Sequence, residues 1–105
     1  MKKGLFYSMM MKNNKPNLVK HQGYLIQTDN NNFGIYKSEW GMYELIDLKT
    51  GLSVNHVNHK RIKEIKELLT KYDTQLTAYK TNFTNIYNTY VENYEREKEK
   101  IENES

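Results

Sequence analysis

Cysteine is absent from this 105-residue chain, which removes disulfide frameworks, thiolate metal sites and cysteine nucleophiles together. Imidazole and carboxylate are the ligands that remain. No stretch approaches the roughly 20 consecutive apolar residues of a membrane-crossing helix. The opening MKKGLFYSMMMK sets two lysines ahead of a short apolar stretch, as an export signal does. Ser8 interrupts that stretch, KNNKPN follows it and a small-residue cleavage site is missing, so a soluble, cytoplasmic protein without membrane contact is expected. Met9, Met10 and Met11 would also allow translation to begin late, leaving the first residues without function. Proline occurs once, at Pro16, and neither proline nor glycine follows Gly51. Nothing in the second half therefore forces a helix to end.

The length suits one domain with one modest core. Lys+Arg 16 against Asp+Glu 13 gives +3, unevenly spread: residues 1 to 72 carry twelve basic and six acidic side chains, residues 73 to 105 four and seven. A basic front and an acidic tail would draw an anionic partner to the front, or let two copies lie head to tail. The weight of Lys, Asn, Tyr, Ile and Glu suits an AT-rich genome, a mobile element among others.

KNNKPN reads as the end of a flexible segment over residues 1 to 17. NLVKHQGYLIQT is strand-prone, DNNN at 29 to 32 is a turn, FGIYKS a second strand and SEWG at 38 to 41 a tight connection. MYELIDL follows, and in LKTGLSV the positive φ open to Gly51 lets Leu52 and Val54 return. These segments predict an antiparallel meander of three to four strands over residues 18 to 57. Asn55 or Asn58 is placed to cap a helix.

From there Ile62, Ile65, Leu69, Tyr72, Leu76, Tyr79, Phe83, Ile86 and Tyr90 recur at spacings of three and four, a heptad stripe. The spacing predicts a helix over 58 to 101 even through DTQLTAYKTNFTNIYNTY, whose Thr and Asn residues fall off the stripe. Residues 102 to 105 would fray. The fold class is thus α+β: a small β-meander followed by a long heptad-patterned helix or, if Asp73 or Thr74 caps a second helix at a break near 72 to 75, a helical hairpin.

A straight helix of that length, about 60 Å, outruns so small a sheet. Leu76, Tyr79, Phe83, Ile86 and Tyr90 are therefore the candidate residues for self-association, as in a homodimer, or for a protein partner. Arg61 and Lys66 would oppose their own copies in a parallel pair, so antiparallel or heterotypic packing suits the stripe better. Lys60, Arg61, Lys63 and Lys66 crowd a helix N-terminus against the macrodipole. With Lys37, Lys49, Tyr36 and Trp40 they form a candidate patch for nucleic acid or another anionic partner, including a nucleic-acid-binding protein.

His21, His56 and His59 supply three imidazoles, but the i, i+3 pair lacks a carboxylate in its turn, and no metal or other cofactor is expected. Neither a nucleophile beside a base nor a paired-carboxylate cleft is indicated. Glu39, Glu44 and Asp47 read as guards of sheet edges. No catalytic residue is assigned and a non-enzyme is expected.

WGMYELIDLKTGLSVNHVNHKRIKEIKELL, Trp40 to Leu69, resembles the strand, Thr-Gly turn, strand and basic helix of small phage or plasmid accessory proteins, some of which inhibit CRISPR nucleases. The resemblance implies an inhibitor of a host nucleic-acid machine acting by protein interaction. The alternative reading is a nucleic-acid-binding accessory protein working through the basic helix start.

Overall fold

The computed structural model describes residues 1–55 and 57–104. Four strands, β1 (Lys2–Lys12), β2 (Lys15–Gln27), β3 (Asn32–Lys37) and β4 (Tyr43–Asp47), precede three helices, α1 (Ile62–Glu67), α2 (Leu69–Asn82) and α3 (Thr84–Asn103). The strands form one antiparallel sheet in sequence order, giving the expected α+β meander with C-terminal helices.

The first seventeen residues are not a flexible lead-in. Asn13 and Asn14 hold positive φ of 54° and 62°, the two-residue turn whose twist suits a hairpin, and β1 pairs with β2 from Lys2↔Leu25 to Lys12↔Lys15. The polar KNNK conceals this because its asparagines are chosen for backbone conformation. Pro16 is tolerated because β2 meets β3 only from Tyr24 to Gln27, leaving β1 as its sole neighbour there. A start at Met9 would delete Phe6 and Ser8, both buried.

The later turns follow their residues. Ser38 N–H donates to the Met42 carbonyl at 2.7 Å across the β3–β4 turn, where Gly41 takes φ +78°. After β4, Asp47 N–H donates to Leu52 O at 2.9 Å and Val54 N–H to Leu45 O at 2.8 Å, so Leu52 to Val54 return along β4 as expected. Gly51, at φ +73°, has a second reason to be glycine: a Cβ there would lie 2.7 Å from Met9 N and 3.1 Å from Tyr94 Cδ2. Its carbonyl accepts a 2.7 Å hydrogen bond from Met9 N–H. The sheet thus curls until its first strand touches the turn after its last.

Register assigns the faces, since paired residues share a side. Phe33, Ile35 and Leu45 form the main core with Ile65, Tyr72, Leu76 and Tyr87 of the helices, and Ile26 packs against it. On the other face Phe6 lies over Gly34, whose Cβ would come 2.7 Å from the ring.

The helical part departs from the expected single rod. α1 begins four residues late, and Asn55 and Asn58 cap nothing: Arg61 is the N-cap, without a side-chain cap bond. Asn55 Oδ1 accepts from Leu45 N–H at 3.0 Å and its Nδ2 donates to Tyr43 O at 3.3 Å, substituting for a strand neighbour of β4. Helical geometry lapses at Leu68 (φ −98°, ψ 5°) and Phe83 (φ −130°, ψ 47°). The considered break at 72 to 75 lies inside α2. At Phe83 the Thr84 hydroxyl donates to Lys80 O at 2.8 Å, satisfying a carbonyl that the interrupted ladder frees. Extents of 37 × 32 × 25 Å leave no room for a straight helix over residues 62 to 103, which would span about 63 Å.

Candidate functional site

The two sets of candidate residues lie on different parts of the molecule. On the helices, Leu76 is buried and Tyr79 half-buried, both committed to the core side. The break at Phe83 then turns a different stripe inward. Tyr87 and Tyr94 become buried and Val91 packs against the core, while Phe83, Ile86 and Tyr90 remain 50%, 49% and 37% exposed. Phe83 leans on Tyr79, ring centres 5.2 Å apart. Around these three the chain reads TNFTNIYNTYV, Thr81 to Val91, without a charged side chain. Thr81, Asn82, Thr84, Asn85, Asn88 and Thr89 are all exposed.

The basic residues divide. Tyr43 N–H donates to His59 O at 2.8 Å, which draws Lys60 and Arg61 to the start of β4. The Lys37 ammonium sits 5.9 Å from the Tyr43 ring centre, and Trp40, in the adjoining turn, is 87% exposed. Lys63 and Lys66 follow on α1, Lys63 with a loose 3.9 Å contact to Glu67. Lys49 is not part of this group. It follows the far end of β4, up to roughly 20 Å away at strand rise, and acts electrostatically on Lys80 instead. Tyr36 is also withdrawn: it stacks on His21 at 3.6 Å and 13° and its hydroxyl donates to Glu44.

Three polar clusters were not legible as such. Asp73, read as a potential cap, is buried and receives hydrogen bonds from Thr28 Oγ1, from Asn30 Nδ2 at 3.1 Å and from Asn31 Nδ2 at 2.6 Å. Lys80 Nζ donates to Asn31 Oδ1. Burial pushes the Asp73 pKa up, but these donors and the Lys80 charge outweigh it and hold the carboxyl below its ordinary range. The cluster pins α2 to the β2–β3 turn. Asp47, read as an edge guard, is likewise buried; it accepts from Tyr87 Oη at 2.6 Å and Thr50 Oγ1 at 3.1 Å. Burial and this carboxylate both raise the Tyr87 pKa. The pair fixes α3 on β4.

In the third cluster the Ser8 hydroxyl lies 2.6 Å from His21 Nε2, the relation a nucleophile and its base would have. Ser8 is only 3% exposed, and Glu44 is bonded to Tyr36 rather than to the imidazole. Burial lowers the His21 pKa, partly offset by the Glu44 charge. Such a serine cannot meet a substrate, and the pair holds β1 to β2. His59 is buried between Tyr72 Oη at 2.6 Å and Glu64 Oε2 at 3.3 Å. His21 and His59 do not converge, and His56 lies outside the described residues. No metal-holding group of three His, Asp or Glu occurs among the described residues. A half-open cleft of about 220 Å³ beside α2 has Leu52, Val54, Leu76 and Tyr79 in its walls; of its polar members, Thr50 and Tyr87 both bond Asp47 and Tyr72 bonds His59. No helix among the described residues is long and apolar enough to cross a membrane.

Compared with known proteins, the chain matches no family model, no curated protein and no solved structure.

Proposed function

We propose that this chain is a non-enzymatic protein-interaction module whose contact surface is the Phe83, Ile86, Tyr90 face of α3, and that the occupant of this face is a second copy of the chain. The observation that carries the reading is the charge-free exposed stretch from Thr81 to Val91 around three half-exposed apolar side chains. Interface centres are depleted of charge and enriched in aromatics. A contact about a two-fold axis sets each patch against itself, so a charge near the axis would meet its own like. In a chain with 28% charged residues and a net charge of +3, this is a surface on which copies can meet without that repulsion.

The total area supports the same reading. The isolated chain exposes 7422 Å², about 1,200 Å² more than a compact monomer of 12.6 kDa is expected to show. A standard-size interface removes about 800 Å² from each partner, so a contact of standard size accounts for roughly two thirds of this excess.

Light scattering on a size-exclusion column tests the proposal. The parent chain is expected at twice 12.6 kDa, and Phe83→Ser with Ile86→Ser at the monomer mass with an unchanged circular dichroism spectrum. A parent that stays monomeric at high micromolar concentration, or a double variant that remains dimeric, would overturn it.

A further inference from the structure

We propose a second working surface: the β3–β4 turn with the adjoining start of α1 is a platform for single-stranded nucleic acid, on which Trp40 stacks a base while Lys37, Lys60 and Arg61 hold neighbouring phosphates. Trp40 is the only tryptophan in the chain and 87% of it is in water, although the indole is among the largest apolar surfaces a protein can bury. The turn that carries it is braced at its base, with Ser38 N–H donating to Met42 O at 2.7 Å and Gly41 N–H to Ser38 O at 3.0 Å. An aromatic held out on a braced turn costs little ordering entropy when a flat partner arrives.

The cations near it are brought from two places in the sequence. Lys37 ends β3, Lys60 and Arg61 arrive through the Tyr43–His59 bridge, and Lys63 and Lys66 extend the charge along α1. Lys37, Lys60, Arg61 and Lys66 form no ion pair with another described residue. Of the nearby carboxylates, Glu64 is drawn to His59 and Glu67 to Lys63, which leaves Glu39 beside Trp40. A carboxylate there can accept from a cytosine amino group.

Cations interleaved with a stacking aromatic are the means by which single strands are held. Paired bases present no free face to an indole, so a duplex would use only the charges. An acidic protein surface would meet the cations and could bury the indole, but it does not present the successive flat faces against which a braced indole stacks. An anionic bilayer could take both the indole and the cations, but Glu39 next to Trp40 would have to enter the headgroup region with it.

Because Trp40 is the sole tryptophan, its emission reports on this surface alone. Titrating an oligothymidylate of about a dozen nucleotides into the full chain at low salt is expected to quench it. With a labelled oligothymidylate read by anisotropy, Trp40→Ala should weaken binding by roughly 5- to 150-fold, the loss of one stacked base. Lys60→Ala with Arg61→Ala should flatten the slope of log affinity against log salt by about 1.4, two phosphates on a single strand. The exposure of all three side chains keeps these variants folded. No binding at low salt would overturn the proposal, as would binding that is indifferent to Trp40→Ala or equally strong for a duplex. A blue shift of the emission with phosphatidylserine vesicles, and none of the quenching with the oligonucleotide, would overturn it in favour of a membrane surface.

Discussion

Asp73 is a buried carboxylate whose whole complement of donors comes from one turn, Thr28 to Asn31, more than forty residues earlier. Replacing it by Ala strands those donors, and about 1–3 kcal/mol of stability should be lost in urea unfolding. Its pH signature has a definite sign. The folded pKa is depressed, so the stability is fully present above the ordinary carboxylate value near 4. It is lost as pH falls below that value and through the folded one, and Asp73→Ala should show less acid sensitivity in that range. His21 works in a different window. Its folded pKa is also depressed, so the folded state favours the neutral ring. Stability is full above about 6.5 and falls as pH drops through that value, because the unfolded chain takes up the proton first. A His21→Gln variant should lose the decline that begins below about pH 6.5. Both residues were visible as chemistry, one as a cap and the other as a ligand, but their partners were not. Residue type states what a side chain can bond; which turn or strand lies opposite is decided by long-range packing.

At the scale of the element, the heptad stripe faces the core as far as Tyr79 and is left uncovered beyond it, as expected, while a second stripe turns inward. Two stripes with the same three-and-four spacing overlap in α3, Phe83–Ile86–Tyr90 and Tyr87–Val91–Tyr94. Periodicity cannot choose between them. The choice is made by Asp47, whose carboxylate accepts the Tyr87 hydroxyl, and by the run of Thr and Asn around Phe83, whose weak helix propensity lets the ladder lapse there. Leu76 and Ile86, members of the same sequence stripe, should therefore respond differently. Leu76→Ala should cost about 2–5 kcal/mol as a core truncation. Ile86→Ala, at 49% exposure in the isolated chain, should stay below about 1 kcal/mol, both read from denaturant midpoints at concentrations that keep the chain monomeric. The strands were more legible because their turns are local: DNNN, SEWG and KTG each announce a reversal. The exception is KNNK, where two left-handed asparagines form the turn that a glycine more often supplies.

For the molecule as a whole, the difference between a rod and a folded-back helix is one of dimension. The Cα radius of gyration is 13.6 Å, close to the roughly 13 Å of a compact domain of this length. Small-angle scattering at concentrations that keep the chain monomeric should return a value near this; a long detached helix would raise it well above. One point of closure in this compact form lies where Met9, Gly51 and Tyr94 crowd together. That junction also sets a schedule for synthesis. β1 meets its final neighbours only after residue 94 has left the ribosome, so the β1–β2 hairpin must wait half-covered until the helices are made. Its loss or gain of protection in a stalled nascent chain would mark the moment at which this fold can first complete.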